Sequence, residues 1–124
     1  MFKTILLVGS GGFIGSVFRY YISKLIQDSY ASFPAGTLSV NVIGSLIIGF
    51  LIGLALKNPS FSVEWRLILM VGFCGGFTTF STFTSENLKL MQDGQFFFLC
   101  LYTGLSIFLG FLAVYLGYVF SKLI

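Results

Sequence analysis

An all-α membrane protein of four transmembrane helices is the fold class that this sequence predicts, and three observations predict it. Hydrophobic side chains make up 56% of the 124 residues and charged ones 9%, whereas a soluble domain carries roughly a quarter charged residues. The charges are clumped, leaving uncharged runs at 4–18, 29–56, 67–85 and 94–121. Three of these runs exceed the ~18 residues that a membrane span needs. The first is shorter, but it extends to about Ile26 when Arg19 is sheltered inside the protein or snorkels toward the headgroups. Residues 1–124 are thus read as a single four-helix transmembrane domain, lodged in the inner (plasma) membrane with the lipid bilayer as its solvent.

Helix 1 is predicted from about Thr4 to Ile26, followed by the polar stretch 27–32 and then Pro34, a residue suited to a helix start. Helix 2 covers about Ala35 to Leu56 and ends in the loop Lys57-Asn58-Pro59-Ser60. Trp65 and Arg66 mark the interface where helix 3 enters, and Asp93-Gly94 turns the chain from helix 3, ending near Met91, into helix 4. Every loop is short. Small residues recur four apart, as Gly11 with Gly15, Ser45 with Gly49, Gly49 with Gly53, Gly72 with Gly76 and Ser106 with Gly110. That spacing lets helix backbones approach closely in lipid.

Several function classes fall away on the same residues. The N-terminal run follows Lys3 as a signal peptide would, but it contains Arg19 and lacks a small-residue cleavage site. Gly9, Gly12 and Gly15 after an apolar run imitate a dinucleotide-binding turn, yet the strand and helix units that would complete a nucleotide-binding sheet do not follow. No nucleotide and no nucleic acid is therefore expected as a partner. Cys74 and Cys100 lie inside predicted spans, where thiols act as small apolar groups. Histidine is absent, and the only acids, Asp28, Glu64, Glu86 and Asp93, sit at or near predicted interfaces. An enzyme has little to work with here. A cation-coupled transporter would commonly need a carboxylate in mid-membrane, where this chain offers only Arg19.

The stretch VGFCGGFTTFSTFTSEN, residues 71–87, carries the chemistry. Adjacent Gly75 and Gly76 followed by Thr78, Thr79, Ser81 and Thr82 are poor helix formers, so helix 3 is expected to break in mid-membrane. Such a break persists in a bilayer only where protein, an ion or water satisfies the freed backbone. Phe77, Phe80 and Phe83 recur every third residue among the hydroxyls. These rings either face lipid or turn their electropositive edges toward an anion, with hydroxyl donors beside them. A mixture of this kind can replace the hydration shell of a small anion without a fixed positive charge that would hold it too tightly to leave. In helix 2, Asn41 either bridges helices or reaches the ion path, because an unpartnered amide is expensive in a span. Tyr102 and Ser106 are four apart on helix 4 and share one face.

Four thin helices enclose little space, so a pathway calls for a second copy of the chain. One membrane side carries Lys3, Lys57, Arg66 and Lys122 and the other Lys24 and Lys89, a bias too slight to set one orientation.

Taken together, GGFIGSVFRY near the start, GTLSVNVIGS in helix 2 and GFCGGFTTFSTF in helix 3 resemble the Fluc family of fluoride channels, also called CrcB. Ser16 stands where alanine is common in the first motif, a minor departure. The resemblance implies an antiparallel, dual-topology homodimer with two fluoride pores and a central structural sodium ion (Na+). By motif position the sodium ligands are the backbone carbonyls of Gly75 and Thr78, the pore rings Phe80 and Phe83, and the pore donor Asn41. Thr79, Ser81, Thr82, Tyr102 and Ser106 are implied as polar steps, with Arg19 and Glu86 near the vestibules. The implied physiology is export: hydrogen fluoride enters neutral, ionises in the cytoplasm, and the trapped fluoride leaves through a passive pore. Two other classes compete, a dual-topology small-molecule efflux transporter and a non-conducting membrane assembly subunit. The first lacks its expected acid in helix 1.

Overall fold

The computed structural model of the protein describes residues 1–124, and four of its helical stretches are long and apolar enough to cross a membrane. Helix α1 (Phe2–Gln27) starts two residues before the expected point. Its last side chain organises the following loop. Gln27 Nε2 donates to the carbonyls of Tyr30 and Phe33 at 2.8 and 3.0 Å, and Gln27 Oε1 accepts from the Gly36 N–H at 3.1 Å. These bonds bring the chain back so that α2 (Ala35–Lys57) begins directly after Pro34, as expected. A hydroxyl cap starts the next span: Ser62 accepts from the Trp65 N–H.

Helix α3 occupies residues 63–77, opening as an α-turn (Val63–Trp65), widening into π-type turns (Arg66–Cys74) and closing as Gly75–Phe77. Two extended residues then interrupt it, Thr78 (φ −88°, ψ 159°) and Thr79 (φ −151°, ψ 118°). Helix α4 (Phe80–Gln92) completes the same span, and Gly94, at φ 70°, makes the turn into α5 (Phe96–Leu123). The break expected at Gly75-Gly76 falls three residues later, at Thr78-Thr79. Gly75 and Gly76 stay helical where α1 presses on this turn: a Cβ on Gly76 would meet the Gly12 carbonyl. The threonines carry hydroxyls that substitute for the ladder. Thr78 Oγ1 donates to the Cys74 carbonyl at 2.8 Å, and Thr79 Oγ1 accepts from the Thr82 N–H at 3.2 Å as the cap of α4.

Two pairings hold the bundle, α1 on α3 and α2 on α5. Each is a seam of small residues, since lipid supplies no hydrophobic drive between helices and close backbone contact must do so. A Cβ on Gly11 or Gly15 would collide with the backbone of α3 at Ile68 and Phe73, and one on Gly72 with Val8 and Gly11 of α1. In the second seam Gly49 lies against Val114, Gly53 against Ser121, and Gly117 against Leu46 and Phe50. Gly117 belongs to a further four-residue series, Ala113, Gly117 and Ser121, which forms most of the buried face of α5. Gly110, by contrast, has room to spare, its nearest neighbour being Ser45 Oγ at 3.9 Å from a built Cβ. The large side chains point outward, as for Phe13, Phe97 and Phe111, where lipid replaces the core of a soluble protein.

Candidate ion pathway

At the interruption between α3 and α4 the backbone has to find partners outside the helical ladder. Part of the need is met from α1, where Arg19, seated a turn beyond the Gly11–Gly15 seam, donates Nε–H to the Gly76 carbonyl at 3.0 Å. A cation at a helix C-terminus also meets the negative end of that helix's dipole. From α2, Asn41 engages both polar groups of one residue: its Oδ1 accepts from the Thr79 N–H at 2.7 Å and its Nδ2 donates to the Thr79 carbonyl at 3.1 Å. Gly44, one turn along α2, lies so close that a Cβ there would strike the Thr78 methyl group. The carbonyls of Gly75, Phe77 and Thr78 accept no hydrogen bond within the chain. Gly75 is also exposed, with open space where a Cβ would be.

The three regularly spaced rings part company at the same point. Phe77 turns inward, 1% exposed, and stacks on Phe73 with ring centroids 5.5 Å apart, so it belongs to the core. Phe80 turns out, 76% exposed, and lies 5.8 Å from Phe83. Phe83 meets Tyr102 of α5 edge-to-face at 5.0 Å, and Tyr102 meets Phe33 in the same manner at 5.7 Å. A row of ring edges thus runs from the exposed face of α4 to the buried side of α5.

Hydroxyls accompany that row. Thr79 Oγ1 reaches Thr82 Oγ1 at 3.0 Å and Ser81 Oγ at 3.4 Å. Tyr102, fully buried, donates its O–H to Glu86 Oε2 at 3.3 Å, while the hydroxyl of Thr37 donates to Glu86 Oε1. One turn along α5, Ser106 Oγ is buried without a partner in the chain. Thr37 was not singled out from the sequence, although it stands four residues before Asn41 on α2, a spacing that shares one face. Asn87 and Thr103, joined at 3.3 Å across α4 and α5, were missed as well.

A cavity of about 620 Å³ opens where α1 ends and α2 begins. Thr37, Thr82 and Glu86 line its inner part, with Lys24 and Lys89 at its flanks. Glu86 is therefore reached from water through this cavity, while Arg19 lies at the interruption and not on the cavity wall. Such an arrangement can lead a small ion from water, past hydroxyls, to the edges of aromatic rings.

Known proteins fit that picture. A family profile described as "CrcB-like protein, Camphor Resistance (CrcB)" matches residues 6–118. A protein of Chlorobium phaeobacteroides named "Fluoride-specific ion channel FluC" is 48% identical over 121 residues, covering 98% of this chain and 94% of that one. One of the same name from Chlorobium luteolum is 46% identical over 119 residues, covering 96% and 92%. "Fluoride-specific ion channel FluC 1" of Methanosarcina acetivorans is 42% identical over 114 residues, covering 92% and 87%. With its profile match extending over all four spans and its relatives aligned nearly end to end, this chain belongs to the CrcB family.

Proposed function

We propose that the protein is a passive fluoride channel of the membrane, not an enzyme, and that it exports cytoplasmic fluoride. The observation that carries this reading is the row Phe80, Phe83, Tyr102, whose Tyr102 end bonds to Glu86 on the wall of the cavity and which sets ring edges beside hydroxyls. Full-length likeness to relatives named as fluoride-specific channels supports it. Ring edges and neutral donors compensate a small anion for lost water, and they do so weakly enough for it to move on. Along the path Thr82 and Ser106 offer O–H groups, Phe83 and Phe80 offer edges, Ser81 adds a further hydroxyl, and Thr37, Tyr102 and Thr79, whose own hydrogens go to Glu86 and Thr82, stand beside it as polar steps. Asn41 and Arg19 hold the interruption beside them.

One chain builds only one wall of such a path, because Phe80 stands on an open face and α4 touches little besides α5. The reading is completed by a second, antiparallel copy, giving a dual-topology homodimer with two pores. The slight bias of lysine and arginine between the two ends, four against two, supports insertion both ways. Tags on the C-terminus are then reachable by impermeant reagents from both faces of the membrane, and labelling from one face alone contradicts the antiparallel dimer.

The residues implied for sodium fit that ion. A hard cation takes oxygen ligands, and the carbonyls of Gly75 and Thr78 are uncommitted within the chain, with Gly75 on an exposed surface. Gly75 and Thr78 from each copy would hold it, and when bound it supplies a fixed positive charge that favours anions nearby. The test of the whole reading is fluoride efflux from liposomes holding only this purified protein. Efflux that exceeds chloride efflux by a wide margin is expected. Neither an efflux transporter nor an assembly subunit produces it, so its absence rejects the channel.

A further inference from the structure

A side-chain amide in an ion path is ambiguous, because a half-turn about its last bond exchanges an N–H donor for a carbonyl acceptor at almost no steric cost. Only its hydrogen bonds decide which end an ion meets. For Asn41 that decision is made by a single backbone unit. Thr79 is extended, and in an extended residue the N–H and the C=O project to the same side, as in a strand facing its neighbour. One planar amide can therefore span both groups, with 2.7 Å at the N–H and 3.1 Å at the carbonyl. Turned over, the amide would set N–H against N–H and carbonyl against carbonyl. A helical Thr79 could not do this, since its N–H and C=O would point in opposite directions along the axis.

We infer that the Asn41–Thr79 clasp is an orientation lock on the conduction path. It pins Oδ1 against the Thr79 N–H and leaves the second hydrogen of Nδ2 uncommitted, so the amide is fixed with a free donor to present to an ion. Thr79 is thus a positioning residue that acts through its backbone, and the interruption of the helix has a use beyond releasing carbonyls: it makes this lock possible. Arg19 on Gly76 and Thr78 Oγ1 on Cys74 hold the preceding turn, so that Thr79 meets Asn41 in register. The inference rests on the fluoride-channel reading for its effect on flux, but the clasp itself can be measured apart from conduction.

Two measurements test it. Hydrogen exchange at the Thr79 amide reads the clasp directly: exchange should be slow in the unaltered protein although Thr79 is outside any helix, and about tenfold faster or more in Asn41→Ala, as one lost hydrogen bond implies. Fast exchange in the unaltered protein, or no change in Asn41→Ala, overturns the clasp. The second replaces the Thr79 residue by its α-hydroxy acid analogue, which turns the backbone N–H into an ester oxygen and leaves every side chain in place; flux is read at saturating sodium, because the same change weakens the Thr78 carbonyl. The lock predicts a fall in fluoride flux of about tenfold, together with a rise in the fluoride concentration that gives half-maximal flux, in a protein that still assembles. Unchanged flux overturns the proposal, as does a lower flux with unaltered half-saturation, which would mark Thr79 as structural only. If the unaltered protein passes no fluoride in the same vesicles while Thr79 exchange follows the clasp, the channel reading fails and the clasp survives.

Discussion

The α1–α3 seam and the α4 segment are parts of one small bundle, yet they are built on opposite principles. In the seam, glycines at 11, 15, 72 and 76 bring two backbones into direct contact, with no room for a single added carbon. Beyond Thr79, α4 carries phenylalanines, threonines and serines, touches mainly α5, and leaves Phe80 76% exposed. The first region has its partner within the chain. The second has hydroxyls and ring edges in excess of what its own chain uses. In lipid, where burial of apolar area stabilises little, close backbone contact has to supply rigidity, and the rigid half positions a loosely packed half whose side chains would serve the proposed ion path.

The contrast is broken most severely at the seam. Gly15→Leu drives a side chain into the carbonyl of Phe73, and overpacking of this kind costs about 3 kcal/mol or more where backbone cannot move. Loss of the folded species on size-exclusion chromatography in detergent is the expected outcome. Gly9→Ala, with nothing within 4 Å of its new methyl group, should leave the profile unchanged. Equal behaviour of the two variants would mean that the seam is not the scaffold.

On the α4 side the expected loss is of flux and not of assembly. Phe80→Ile or Phe83→Ile keeps the bulk and removes the ring edge, and fluoride flux should drop by roughly an order of magnitude, as for one lost interaction of about 1.4 kcal/mol. The elution profile should stay that of the unaltered protein. Full flux in both variants would return the rings to a purely packing role.

Sodium removal should act more slowly. Protein purified with an impermeant organic cation in place of sodium is expected to lose fluoride flux over hours and to regain it when sodium alone is restored. Full activity without any bound monovalent cation rules out the proposed ion. Smallest of all should be the effect of Glu64→Gln, which removes the ion pair to Lys3 at 3.1 Å. Both partners are well exposed, so the thermal unfolding midpoint should stay essentially that of the unaltered protein.

How much of this was legible beforehand depends on the distance over which each feature is decided. The spans follow from uncharged runs, and the starts and turns from Pro34 and Asp93-Gly94, because a bilayer reads length and polarity along the chain. The singular character of residues 71–87 was legible too, from glycines and hydroxyls crowded into a span. Its geometry was not. Whether Gly75-Gly76 or Thr78-Thr79 leaves the helix depends on which of them α1 presses upon, and α1 is more than fifty residues away in the chain. The two readings open for Asn41 could not be narrowed without seeing Thr79 opposite it, 38 residues on.

Thr37 illustrates the same limit: alone it is an ordinary helix residue, and only the meeting of α2, α4 and α5 brings it to Glu86 and Tyr102. Residue types and their order therefore determined that this is a four-span membrane protein with its chemistry in the third span. Tertiary structure decided which backbone groups are freed, which side chains hold them, and which rings face inward. The reason is physical. A hydrogen bond or a backbone contact in lipid is set within a few tenths of an ångström by helices that meet in space, while hydropathy and turn chemistry act locally and leave their mark directly in the order of residues.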